Sequence, residues 1–238
     1  MKKIKLYVSF LLLMLSVSMW SYSSLAMDYC DPKGKKISIT LVVPKNFNKT
    51  EKNIQKSSFK SLIKNLKPGD YVSFNLAKQD LIEPVRLYSQ CFPGCPPSKG
   101  TLWGEIFGIG VECNVTRMQR DKKLYEKSLA LPIYYLLNKQ GPVIKDGVTN
   151  LLASLENIAN FNKTNDFDEV YIISSMNPFP STNIESKKID SFFVELVQNN
   201  KIPKNLPNAI YVGVLQNSKL ILFWQDIYKT IKTKFDYR

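Results

Sequence analysis

The chain has 238 residues, with 33 lysines and arginines against 20 acidic residues and no histidine. Without an imidazole, Ser-His-Asp and Cys-His catalysis and histidine-based metal sites are excluded. The net charge of +13 is compatible with nucleic acid, an anionic membrane or an acidic partner. Lysines scattered among asparagines are, however, also what an AT-rich genome produces.

The N-terminal segment is typical of a secretory leader. Lysines precede an apolar run from 6 to 20, and Ser24-Leu25-Ala26 offers small residues to a signal peptidase. We predict cleavage after Ala26, which leaves an exported protein, periplasmic or secreted, with one mature domain from 27 to 238. The chain would then touch the membrane only through its leader before cleavage. An uncleaved N-terminal anchor is the alternative.

The cysteine count predicts two disulfides in an exported chain. The sequence leaves all pairings open among Cys30, Cys91, Cys95 and Cys113. Cys91 and Cys95 are separated by three residues, whereas redox pairs usually have two between them. Common zinc sites need histidine, which the chain lacks. A structural role for the cysteines is therefore favoured. The excursion from 89 to 116, rich in Cys, Pro and Gly, is interpreted as a disulfide-stapled insertion.

The first half of the mature chain predicts the order β-α-β-β. The apolar run 36–43 is typical of a buried central strand and ends at Pro44. The segment 71–76 alternates like a strand, with 84–88 as its hairpin partner. Between them, a helix is predicted from residues that recur every four positions, namely Ile54, Ser58, Leu62 and Leu66.

The second half predicts further alternation of helices and strands. A helix over 118–138 should be kinked or divided by Pro132, and the next helix should begin after an N-cap at Thr149 or Asn150. The later segments are a strand at 170–173, a helix at 184–197, a strand at 209–214 and a helix at 219–234. This order predicts an α/β fold with a doubly wound, mostly parallel sheet flanked by helices.

The order of several short pieces carries a resemblance to a known family. These are the first buried strand, the turn Lys67–Ser73, the helix start at Gly147-Val148-Thr149, the strand and polar loop 170–175, and Tyr211-Val212-Gly213. In this order, the chain from 36 onward resembles a von Willebrand factor A (vWA) domain of the exported bacterial type. The resemblance implies a Rossmann-like fold.

The family binds a divalent ion through an Asp-x-Ser-x-Ser loop, a threonine and a later aspartate, and such ions need carboxylates. The resemblance places these positions at Pro44, Asn46, Asn48, Thr149 and either Ser174 or Ser175. Both carboxylates are missing, so the resemblance implies a degenerate ion site with no metal and no cofactor. The neutral oxygens of Asn46, Asn48, Thr149, Ser174 and Ser175 would form a rim at the strand ends, or serve only as caps and turn formers.

These features favour a non-enzymatic module that binds another protein, as part of or beside an envelope secretion or conjugation assembly. A recognition loop would carry Phe92, Trp103 and Phe107, unless these aromatics form a small core around the disulfides. One alternative is a basic surface that binds an anionic envelope component or, less readily, nucleic acid. Another is an enzyme, although the sequence has no nucleophile elbow, P-loop or dinucleotide fingerprint.

Overall fold

The computed structural model describes residues 29–31, 33–43, 49–78, 81–94, 115–138, 150–178 and 186–238. The predicted leader, 1–26, lies outside these residues. The strands are β1 Lys36–Val42, β2 Tyr71–Ala77, β3 Val85–Cys91, β4 Glu169–Ile173, β5 Ile210–Val212 and β6 Asp236–Tyr237. The helices are α1 Lys49–Lys64, α2 Val115–Asn138, α3 Leu151–Asn165, α4 Ser186–Gln198 and α5 Ser218–Thr230.

The strands form one sheet in the order β3-β2-β1-β4-β5-β6. Every pairing is parallel except that of β2 with β3, which is antiparallel. The predicted α/β class, the mostly parallel sheet and the β2–β3 hairpin are therefore confirmed. β6 was not predicted, because two residues are too few to leave a periodic signal.

Side chains of the central strand β1 alternate between two hydrophobic clusters. Ile39 and Leu41 belong to the cluster that also contains residues of α1 and α2. Val42 belongs to the second cluster, which contains residues of α3, α4 and α5. Since β1 also pairs with strands at both edges, it is enclosed on all sides, which explains its nearly continuous apolar sequence.

Small polar side chains fill part of the sheet beside these clusters. Ser38, Ser73 and Asn75 are all fully buried. The Asn75 amide Nδ2 donates to Ser38 Oγ at 3.2 Å, and Ser73 Oγ donates to Asn75 Oδ1 at 3.1 Å. These bonds offset the cost of burying polar atoms and join β1 to β2 through their side chains.

Two helix predictions need correction. The buried positions of α1 and of the turn after it are Glu51, Gln55, Phe59, Leu62 and Leu66. Two of these residues, Glu51 and Gln55, are polar. Ile54 and Ser58 lie half-buried at the side of this stripe, so the predicted step of four began on the wrong residues.

α2 is one helix from Val115 to Asn138, so the predicted division at Pro132 is wrong. The loss of one backbone hydrogen bond at the proline does not end the helix here.

The N-terminal residues are fastened beside the turn before β2. Cys30 forms a disulfide with Cys91 at the end of β3. The Asp70 carboxylate accepts hydrogen bonds from the backbone N–H groups of Lys35 at 3.1 Å and Lys67 at 3.0 Å. Gly69 has a φ of 88°, and an added Cβ would lie 2.6 Å from the Cβ of Asp31, so only glycine fits there. Asp70 therefore organises a turn.

We predict that replacing Cys30 and Cys91 together by alanine lowers the free energy of unfolding by up to about 4 kcal/mol, because the bond closes a long loop. The two cysteines are 61 residues apart. Urea denaturation of the oxidised protein and the variant measures the difference. An unchanged unfolding midpoint in the Cys30/Cys91 variant would contradict the assignment.

Candidate functional site

The best-defined candidate site lies where the direction of strand connection reverses. From β1 the chain passes through α1 to β2 on one side, and from β4 it passes through α4 to β5 on the other. The connections leaving the carboxyl ends of β1 and β4 thus run in opposite directions. Open α/β sheets bind their ligands in the crevice that is expected at such a point.

The segment that follows β4 places neutral polar groups at this edge. Ser174 and Ser175 are each 2 % exposed and Asn177 is 8 % exposed. The Ser174 N–H donates to Val212 O, and Leu215 N–H donates to Ser175 O, both at 3.1 Å. The chain after β4 is therefore fixed to the chain after β5, and the two serines are held by the sheet itself.

Met176 reverses the chain within this segment. Its φ is 55°, in the left-handed region that a side chain rarely adopts. The Met176 N–H donates to Ser174 Oγ at 3.1 Å, and the Trp224 indole Nε1 donates to Met176 O at 2.7 Å. Met176 and Trp224 are both fully buried. The turn is therefore held against α5 by a buried hydrogen bond.

A tyrosine pair supports the same region. The hydroxyls of Tyr211 on β5 and Tyr228 on α5 are hydrogen-bonded to each other within the core. Burial raises the pKa of the Tyr211 hydroxyl well above its ordinary value. Both phenols therefore remain neutral in ordinary buffers, and we assign this pair a structural role.

The first turns of α1 place two further polar side chains in the interior, and the sequence analysis did not identify them. Glu51 is 1 % exposed and Gln55 is fully buried. Gly213, which follows β5, has a φ of 78°, and an added Cβ would lie 3.6 Å from Gln55 Cα. Within the described part of the chain, neither polar atom of the Gln55 side chain has a hydrogen-bond partner. The sequence did contain a signal for these two residues, since each is a polar residue at a position where the helical period expects an apolar one.

A cleft of about 710 Å³ opens beside the segment after β4. Pro178 lies on one side, Asn150–Ala153 of α3 on another, and Asn200–Lys204 after α4 on a third. Asn150 is the N-cap of α3, since its side chain accepts from Ala153 N at 3.2 Å. The cleft combines apolar, amide and lysine side chains, a lining suited to the side chains of another protein.

The predicted site residues fall into two groups. Ser174 and Ser175 lie together at the carboxyl edge, whereas Asn46, Asn48 and Thr149 lie outside the described residues. Asn150, the other N-cap candidate, takes that role. Whether the five residues form one rim therefore stays a prediction.

The predicted recognition loop is described only at Phe92. This ring is 3 % exposed and packs edge-on against Tyr125 of α2, with ring centroids 5.2 Å apart. Phe92 thus belongs to the hydrophobic cluster that contains residues of β1, α1 and α2, and the recognition loop and its alternative both stay predictions. Trp103, Phe107, Cys95 and Cys113 lie outside the described residues.

The described residues contain no group of three His, Cys, Asp or Glu side chains that could hold a metal ion. None of their helices is both long and apolar enough to cross a membrane. The sequence matches no protein-family model and no curated protein.

We predict that Gln55→Met raises the free energy of unfolding by about 1 kcal/mol, because a buried amide without a partner is replaced by an apolar side chain of similar shape. Urea denaturation measures the change. Gln198→Met, at an exposed position on α4, is the matched control and should leave stability unchanged. A destabilised Gln55→Met protein would show that the amide has a stabilising partner.

Proposed function

We propose that the chain is an exported vWA-like module that binds another protein at the carboxyl edge of its sheet and carries out no catalysis. The partner would be a component of the cell envelope, such as a secretion or conjugation assembly. Recognition would use neutral hydroxyl and amide groups in place of a bound metal ion.

The observation that carries this proposal is the position of Ser174, Ser175 and Asn177. They lie at the carboxyl end of β4, beside the crevice expected where the strand connections diverge. The strand order is that of a doubly wound Rossmann-like sheet, and the two hydrophobic clusters involve different sets of helices. Both features support the finer assignment of a doubly wound vWA-like fold.

The chemistry of the cleft beside the edge supports a protein as the partner. The exposed amides of Asn150 and Asn200 in its lining both donate and accept hydrogen bonds, so they match the backbone and polar side chains of another protein. The same cleft, which includes Leu151, Phe192 and Ile202, can accept apolar side chains. Protein interfaces combine apolar contacts and hydrogen bonds in this way.

We predict that the unmodified protein binds Mg²⁺ and Mn²⁺ only at millimolar concentration or more weakly, because proline and serine stand where the family has the carboxylates that these ions need. Isothermal titration calorimetry on the oxidised protein measures this affinity. In a control variant, Pro44→Asp combined with Ser174→Asp restores the two carboxylates of the family pattern and should bind at least tenfold more tightly. Micromolar binding by the unmodified protein would contradict the degenerate site.

We predict that a photo-crosslinking amino acid at Asn46 or Asn48 captures a discrete envelope protein in living cells. The two positions follow β1 in sequence, where the proposed edge begins. Matched probes at Lys33 and Asn208, which are exposed and precede β1 and β5, report the opposite edge of the sheet. Equal capture at both edges, or none at Asn46 and Asn48, would contradict the proposal.

A further inference from the structure

The charges of the helices are divided unequally between the two hydrophobic clusters. α1 and α2 together contain ten lysines and arginines against three acidic residues. The other three helices contain five lysines against four acidic residues. The excess positive charge of the helices is therefore concentrated on one pair of neighbours.

α1 and α2 lie next to each other on one side of the sheet. They contact each other directly, and both contribute side chains to the same hydrophobic cluster. α1 uses Phe59, whose ring packs against Phe74 of β2 at 5.5 Å, and α2 uses Tyr125. With these residues turned inward, the exposed side chains of α1 and of residues 115–129 of α2 lie on the solvent side of this cluster, and we name this surface the basic face.

The lysines of the basic face point to solvent, whereas most of its acidic groups do not. Lys60 and Lys64 on α1 and Lys123 and Lys127 on α2 are all exposed. Glu51 is 1 % exposed. The Asp121 carboxylate accepts the Tyr29 hydroxyl at 2.7 Å and lies 3.6 Å from Arg120 Nε. Glu126 is the exposed acid on these helices, so the outward field of the face is strongly positive.

We propose that the basic face docks this protein onto an anionic phospholipid surface. Lysine ammonium groups suit a diffuse layer of headgroup phosphates, because they act as point charges with no demand for two-pronged geometry. Leu124 is 55 % exposed among these lysines and would enter the headgroup boundary as an apolar anchor. The face is built from two helices side by side, which matches an extended planar partner.

Nucleic acid fits this face less well. Proteins that bind single strands stack bases on exposed aromatic rings, but the aromatic side chains that the structure describes on these two helices, Phe59 and Tyr125, are buried. Specific contacts to bases or phosphates commonly use paired donors of arginine, while the exposed basic residues described on these two helices are, apart from Arg120, lysines. This inference goes beyond the proposed protein-binding role, since it concerns a helix face and not the carboxyl edge of the sheet.

The test compares two variants with the same change in net charge. In the first, four lysines of the basic face become glutamate: Lys60→Glu, Lys64→Glu, Lys123→Glu and Lys127→Glu. In the matched control, four exposed lysines elsewhere change in the same way: Lys163→Glu, Lys229→Glu, Lys232→Glu and Lys234→Glu. Each protein is expressed from the full sequence, and circular dichroism and thermal unfolding check that both variants keep the fold.

Binding is measured by co-sedimentation with two kinds of vesicle. The neutral vesicles contain phosphatidylcholine alone, and the anionic vesicles contain about 30 % phosphatidylglycerol, whose negative surface potential attracts lysines. The unmodified protein and the control should bind the anionic vesicles at least tenfold more tightly than the neutral ones. The preference should weaken steeply between about 50 and 500 mM salt. At about fivefold per lysine, the basic-face variant should lose at least a hundredfold in affinity for the anionic vesicles.

Two results would overturn the inference. In the first, the control loses as much affinity as the basic-face variant, which would mean that total charge and not the face governs binding. In the second, the unmodified protein binds a single-stranded oligonucleotide but shows no preference for anionic vesicles, which would assign the face to nucleic acid. Neither result bears on crosslinking at Asn46, so failure of this inference is distinguishable from failure of the proposed function.

Discussion

The structure depends on the enclosure of β1. This strand is hydrogen-bonded to β2 and β4 along its length, and its side chains enter hydrophobic clusters on alternate sides. A shift of β1 by one residue would exchange the two sets of side chains and would move Ser38 out of its hydrogen bond with Asn75. The register of the sheet, the positions of the helices and the crevice expected beside β4 all follow from this placement.

An element could be predicted from the sequence when its own residues carry a pattern, and not when it forms only through contacts with other segments. β1 is buried on both faces, and so is the end of β4, where Ile172 and Ile173 enter different hydrophobic clusters. Their apolar runs were therefore recognisable without knowledge of the fold. β6 is a strand only because it pairs with β5, and its two residues contain no pattern of their own. The inward face of α1 was misread because Glu51 and Gln55 occupy positions where an apolar residue was expected.

The same reasoning applies to the candidate site. The sequence located Ser174 and Ser175 because they directly follow a strong strand signal. Asn177 and Gln55 were missed because their burial comes from contacts between segments far apart in the chain. The αL turn at Met176 was also hidden, since a methionine gives no turn signal. It is held in place by Trp224, which comes 48 residues later.

α1 connects the two surfaces to which we assign a role. Its first turns carry Glu51 and Gln55 inward, near the end of β5, while its later turns carry Lys60 and Lys64 outward. If the basic face lies against a membrane, the axis of α1 lies roughly along that surface and the carboxyl edge of the sheet points sideways. A partner held in the same membrane could then reach this edge without displacing the protein, so docking through lysines would restrict the search for a partner to two dimensions. The charge asymmetry and the polar edge are thus compatible parts of one mode of binding.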